Sequence, residues 1–269
     1  MSLLRLIARL DVKGPNVVKG VMMEGLRVVG DPEELACRYA QEGADELLYL
    51  DIVASLYGRN QLADLLLRTT AKVFIPVCVG GGISGIAEVQ RLLDSGADKV
   101  AVNTAAIRNP RLISDIARRY GSQAICVSIE AKKTANGWEA YTDNGRERSG
   151  RDACVWAQEA IERGAGEILL TSVDCEGTRK GFDTELVREI APKASVPVIA
   201  CGGMGAIAHA VDVIRNGKAD AIAFATCLHY NLLTIKEIRD ACQSYRQDLL
   251  GQGSENKKML GMDGVNSQI

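Results

Sequence analysis

Histidine is nearly absent. Only His209 and His229 occur in 269 residues, and none of the eight cysteines shares a C-x2-C spacing with another. That removes the usual ligand patterns of a zinc site. Cys78, Cys126 and Cys201 lie inside apolar, strand-like runs, where cysteine behaves as a small hydrophobe. A disulfide framework is not expected, and a reducing cytoplasm is the expected setting. No stretch approaches the ~18 uninterrupted apolar residues of a membrane-spanning helix. The opening MSLLRLIARLDV carries Arg5, Arg9 and Asp11 within its apolar stretch and does not read as a signal peptide. Excess charge is lacking too. The formal net charge of −2 offers no pull toward nucleic acid or membrane. The first strand-to-helix junction, DVKGPNVVKG, lacks the glycine fingerprint of a dinucleotide fold. Neither a metal nor an organic cofactor is expected.

What is present is a regular alternation. Short apolar runs at 3–12, 46–54, 72–80, 99–105, 123–131, 167–174, 196–203 and 219–226 read as strands. Between them lie segments such as 31–43, 85–96 and 151–164, whose apolar residues recur at three and four. Each of those three ends in glycine, at Gly43, Gly96 and Gly164, as helices often do. Asp31 before Pro32 reads as an N-terminal cap. Continuous apolar strands suit a parallel sheet covered on both faces. Eight strand–helix units over about 250 residues predict an α/β fold, a (β/α)8 TIM barrel. An open doubly wound sheet is the alternative, without its usual fingerprint.

The sequence also repeats itself. GADELLYLDIVA, from Gly43, is echoed 121 residues later by GAGEILLTSVDC, and IPVCVGGGIS, from Ile75, is echoed at the same offset by VPVIACGGMG. GADKVAVNTA, from Gly96, returns 122 residues later as KADAIAFATC. Three blocks in one order at nearly one offset predict a single barrel over 1–250, built from similar half-barrels of about 1–121 and 122–250. The tail 251–269 loses periodicity and is expected to be disordered.

Active sites of such barrels lie at the strand C-termini. Gly80, Gly81 and Gly82 end the third strand, and Gly202 and Gly203 the seventh. Asn103-Thr104 and Ala225-Thr226 end the strands that follow. Exposed amides beside a hydroxyl make a phosphate cradle. Two cradles half a turn apart predict a substrate with a phosphate at each end. Acids gather between them: Asp11, Asp51, Glu130 and Asp174 at strand ends, with Glu176 just beyond. Asp11 and Glu130 occupy matching places in the two halves and suit general acid–base work. Lys19, in the glycine-rich first loop, is placed on a mobile flap where its ammonium would meet phosphate or a developing anion. At the opposite end, Arg5, Glu46, Lys99 and Glu167 begin strands one, two, four and six. Unpaired, they would be costly, so a paired ring is expected at the barrel bottom.

These residues resemble a known family, the cyclase subunits of imidazole glycerol phosphate synthase. The likeness spans roughly 3–250. It is carried by RLIARLDVKG-x-x-VVKG, GDPEELA, ADELLYLDI-x-AS, VGGGI, GADKVAVNTAA, GSQAI, GAGEILLTSVD-x-x-GT, GFD and GG-x-G. The resemblance implies a two-phosphate ribulosyl aminoimidazole carboxamide ribotide as substrate. It implies a glutaminase partner at the N-terminal face of the barrel, with Asp98 and Gln123 near that interface. Arg5, Glu46, Lys99 and Glu167 match the family's ammonia gate, and Asp11 its first catalytic aspartate. Thr171, Ser172, Asp174 and Gly177 fall in the sixth-strand motif and are counted with the substrate-binding residues. Three positions depart. Glu130 and Glu176 stand where the family has Asp, and Arg9 replaces a small residue. Two other readings remain: a paralogue relaying ammonia to a sugar amidotransferase, and the two-phosphate sugar isomerase of the same pathway, which needs no gate.

Overall fold

The structure is a computed structural model that describes residues 4–54 and 62–244; the tail 251–269 lies outside them. Twelve strands follow in chain order. They are β1 (Arg5–Lys13), β2 (Asn16–Val21), β3 (Glu24–Gly30), β4 (Glu46–Asp51), β5 (Val77–Gly80) and β6 (Lys99–Val102), then β7 (Ile125–Thr134), β8 (Gly137–Thr142), β9 (Glu147–Asp152), β10 (Glu167–Ser172), β11 (Val198–Cys201) and β12 (Ala221–Phe224). Eight of them, β1, β4, β5, β6, β7, β10, β11 and β12, pair in parallel, and β12 returns to β1 to close the barrel. The expected (β/α)8 architecture is therefore present. The other four form two antiparallel hairpins, β2–β3 after the first barrel strand and β8–β9 after the fifth.

Local chemistry sets the helix ends. Asp31 accepts from the Glu33 and Glu34 amides at the start of α1 (Pro32–Gln41), with Pro32 in the first turn, where its missing N–H costs nothing. Gly43, Gly96 and Gly164 follow their helices at φ of +96°, +104° and +104°, the left-handed region in which a side chain is disfavoured.

The repeat reaches the level of single hydrogen bonds. Leu47 N donates to Pro76 O and, 121 residues on, Ile168 N to Pro197 O. Asp98 accepts from Val77 N at 2.8 Å and Asp220 from Val198 N at 2.9 Å. The third strand is shorter than expected. Lys72–Pro76 stays outside it, because Pro76 has no N–H for the ladder and Phe74 points outward, 90 % exposed.

Two apolar regions result. The larger fills the space between strands and helices. The smaller is inside the barrel: Ile7, Leu48, Cys78, Ala101, Cys126, Leu169, Ile199, Cys201, Ala221 and Ala223. Register places Arg9 two residues above Ile7 on β1, facing this inner column from the C-terminal side.

Candidate active site

The bottom of the barrel carries the predicted ring. Arg5 Nη1 lies 3.1 Å from Glu46 Oε2 and Arg5 Nη2 2.6 Å from Glu167 Oε1. Lys99 Nζ lies 2.9 Å from Glu46 Oε2 and 2.7 Å from Glu167 Oε2. Two cations and two anions alternate around the strand starts, and each carboxylate meets both cations. Burial pushes the Glu46 carboxyl above its ordinary range, although Lys99 draws it back. Burial opposes the Lys99 ammonium, yet Glu46 and Glu167 hold its pKa above the usual lysine value.

The top is organised by two hairpins. The β2–β3 hairpin carries Lys19 inward. Here the sequence reading needs correction: Lys19 belongs to a strand, is 3 % exposed and is fully paired. The stretch Asn16–Val21 pairs with both β1 and β3, which buries Val17, Val18 and Lys19 together, so it does not behave as an open loop. Lys19 Nζ lies 2.8 Å from Asp11 Oδ2 and also meets Glu176 Oε1. Arg9 Nε lies 2.7 Å from Asp11 Oδ1, and Arg9 Nη1 lies 3.3 Å from Glu176 Oε2 and 3.1 Å from Cys201 Sγ. All four charged residues are buried, between 2 % and 5 % exposed. Burial alone would raise the Asp11 carboxyl, but Arg9 and Lys19 hold it well below the usual carboxylate range. Lys19 and Arg9 likewise lower Glu176 against its burial.

Glu130 sits differently. Its Oε2 accepts from Gly145 N at 2.7 Å, at the tip of the β8–β9 hairpin, and among the described residues no cation forms an ion pair with it. Burial pushes its pKa up to about 7, only partly offset by Arg9 and the Gly145 amide. It faces a cavity of about 770 Å³ shared with Asp51, Gly81, Gly82, Asn103, Thr104, Ser128 and Asn144. The first expected cradle therefore opens into a real cavity. Asn103 Oδ1 is buried there with no hydrogen-bond partner among the described residues, while Thr104 Oγ1 accepts from Asp143 N at 3.0 Å. Asp51 Oδ1 accepts from Val53 N, and burial raises its carboxyl.

The second cradle differs. Gly202, Gly203, Ala225 and Thr226 come together with Arg9 and Glu176, but the space between them is about 10 Å³. That is about one water at most. The glycines themselves have a packing reason in both places. A Cβ on Gly81 would lie 2.2 Å from Asp51 O, and one on the equivalent Gly202 2.8 Å from Ser172 O. The doubled glycines are thus required by the turns, whatever else they bind.

Other expected residues are distributed unevenly. Thr171 and Ser172 are buried at the end of β10, and Gly177 packs against Gly20 O. Asp174 is not part of the mouth. It is exposed, and its Oδ2 accepts from Lys133 N at 2.8 Å, because it faces outward from the turn after β10. Asp98 and Gln123 are both exposed at the N-terminal side, though Asp98 also ties β6 to Val77. Arg9 and Glu176 are the residues that sequence reasoning left without a role. The signal was available: Arg9 and Asp11, two apart on a strand, must face the same side.

The layout, a charged ring at one end of a (β/α)8 barrel and buried carboxylates beside a cavity at the other, is that of a barrel enzyme with its site at the strand C-termini. Comparison with known proteins gives the particular family. The family model described as histidine biosynthesis protein matches residues 5–234. The chain is 62 % identical over 206 residues to the imidazole glycerol phosphate synthase subunit HisF of Legionella pneumophila, covering 76 % of this chain and 97 % of that one. It is 50 % identical over 243 residues to the subunit of the same name from Prochlorococcus marinus (strain NATL1A), covering 89 % and 95 %. Against that of Myxococcus xanthus (strain DK1622) the figures are 49 % over 235 residues, 87 % and 93 %. The chain belongs to the histidine biosynthesis protein family, among the cyclase subunits of imidazole glycerol phosphate synthase. No described helix is long and apolar enough to cross a membrane.

Proposed function

We propose that the chain joins ammonia to a ribulosyl aminoimidazole carboxamide ribotide bearing two phosphates, and releases imidazole glycerol phosphate, the carboxamide ribotide and one water. The observation that carries this reading is the pairing of two built ends on one barrel axis. The ring of Arg5, Glu46, Lys99 and Glu167 lies below an apolar sleeve, and the Asp11–Glu130 mouth lies above it. An isomerase acting alone has no use for such a ring.

The electrostatics divide the work at the mouth. Glu130, with its pKa near 7, gives and takes protons as ammonia adds and the ring closes. Asp11 stays ionised and stabilises positive charge on the ammonia adduct, with Lys19 beside it to balance anionic stages. The phosphate nearest Glu130 rests on Gly82, Asn103 and Thr104, where Asn103 Oδ1 is free to accept from a neighbouring substrate hydroxyl. Ammonia enters from a glutaminase docked on the N-terminal face, near Asp98 and Gln123. Turnover of the two-phosphate substrate with ammonium salt at high pH tests the chemistry without a partner. No product under those conditions would refute it.

A second reading has one observation in its favour. The tightness around Gly202 and Gly203 suits a chain that relays ammonia to a sugar amidotransferase without holding the cyclase substrate. Product formation from ammonium salt would exclude it.

A further inference from the structure

The second cradle is not merely narrow. A carboxylate already lines it. A Cβ on Gly202 would lie 3.2 Å from Glu176 Oε2, so that oxygen packs directly against the glycine turn. The same oxygen is 3.3 Å from Arg9 Nη1. The remaining space, about 10 Å³, is bounded by Arg9, Glu176, Gly202, Gly203 and Thr226. Glycine turns, a threonine hydroxyl and a guanidinium fork are what a phosphate selects.

We propose that Glu176 is the resting, internal occupant of this cradle and that Arg9 is an anion receptor, trading Glu176 for the second phosphate of the substrate. The proposal rests on the two-phosphate reading above and names how that second phosphate is received. Arg9 is built for an exchange. Its Nε is anchored on Asp11 at 2.7 Å, while its Nη1 is shared between weaker partners: a carboxylate oxygen at 3.3 Å and a thiol at 3.1 Å. A phosphate oxygen is a stronger acceptor than a thiol and offers the fork two bonds.

Charge accounts for the resting arrangement. Asp11 and Glu176 carry two negative charges, and Arg9 and Lys19 two positive ones, all buried. Without an internal anion at this place, the pair of cations would face Asp11 alone and leave a buried positive charge uncompensated. Glu176 supplies that anion until substrate arrives. Its departure also releases one of the two acids on Lys19, which is left to Asp11 alone. Occupation of the distant cradle is thereby linked to the state of the catalytic pair. Glu176 lies in the turn after β10, and its carbonyl accepts from Met22 N at 2.7 Å, at the tip of the first hairpin. The exchange therefore takes place beneath that hairpin.

Inorganic phosphate serves as the probe, read by calorimetric titration, by phosphate-dependent melting and by counting bound phosphates in soaked crystals. The unaltered chain should fill the Gly82–Thr104 cradle first and the Gly203–Thr226 cradle weakly. Glu176→Gln removes the internal competitor and should tighten the second site by about tenfold or more, within the usual range of coupling between ligands. Arg9→Lys in the Glu176→Gln background keeps the charge but loses the fork, and should reverse most of that gain. If Glu176→Gln is poorly folded, phosphate should restore its melting transition and chloride at equal ionic strength should not. Unchanged or weakened second-site binding in Glu176→Gln, or a folding defect that phosphate does not relieve, would overturn the proposal. The outcome is independent of turnover. Absence of product with exchange intact refutes the cyclase reading, and product without exchange refutes the role given to Arg9 and Glu176.

Discussion

Replacing Lys99 by methionine keeps the side-chain stem and deletes one charge from the ring at the barrel bottom. The ammonium makes two of the ring's four ion pairs, at 2.9 Å to Glu46 and 2.7 Å to Glu167. Arg5 alone then faces two carboxylates, one of them 3 % exposed. Breaking a buried pair from one side costs about 3–5 kcal/mol, and partial exposure of Lys99 and Glu167 favours the lower figure of ~3. For a chain of this size each kcal/mol moves the melting point by about 2–4 °C, so a fall of about 6–12 °C is expected. Removing Glu46's charge as well, in Lys99→Met/Glu46→Gln, should recover much of it, because charge balance returns. The loss should also depend on pH. Burial already raises the Glu46 carboxyl, and losing Lys99 raises it further. A carboxyl whose folded pKa exceeds its unfolded value stabilises the fold at low pH and loses that contribution as pH rises through the folded pKa. The deficit of Lys99→Met should therefore shrink on acidification. Function is read with two ammonia sources. On the proposed route, glutamine-driven turnover measured with a candidate glutaminase uses the barrel bottom, whereas added ammonium salt reaches the open mouth directly. The glutamine route should change more than the ammonium route. Equal effects on both would show that Lys99 serves folding alone, and the channel reasoning would fail.

Asp11→Asn should lower ammonium-driven turnover by ~10²–10³, the usual worth of one electrostatic contact to the transition state; full retained activity would remove Asp11 from the site. Turnover should titrate with an apparent pKa near 7, and Glu130→Gln should abolish that inflection rather than shift it. The raised Glu130 carboxyl also means that its contribution to stability is present in acid and lost as pH rises toward and through 7, so Glu130→Gln should melt with a flatter pH dependence. Crystals soaked in sulfate should show an anion at Gly82, Asn103 and Thr104 before any appears at Gly203 and Thr226; the reverse order would contradict the difference in space between the two cradles.

Much of this layout can be read from the residues because its determinants are local or repeated. Strand lengths, the caps at Asp31 and Gly43 and the 121-residue echo together specify the barrel, and strand-start charges at a common register specify the ring. The mouth was less legible. Lys19 looks like a loop residue because glycines surround it, and only the pairing of β2 with β1 turns it inward. Asp174 and Glu176 are two residues apart in a turn, so no strand alternation fixes which of them faces the barrel; the structure sends Asp174 outward to Lys133 and Glu176 inward to Arg9. The narrowness of the second cradle depends on Glu176 meeting Arg9 of β1, nearly two hundred residues from Gly202 in sequence, and no local pattern reports such a meeting.

The sleeve inside the barrel has a further consequence. Ile7, Leu48, Cys78, Ala101, Cys126 and Leu169 separate two charged clusters. The ring below and the Arg9–Asp11–Lys19–Glu176 quartet above each sum to zero. A cluster without net charge has a field that fades within a short distance, and the wall between the two carries no mobile charge to extend it. The ends are therefore electrically deaf to one another. Whatever a protein docked below tells the mouth above must travel as displacement, through strands that slide or side chains that repack. Close-packed interiors transmit strain of that kind.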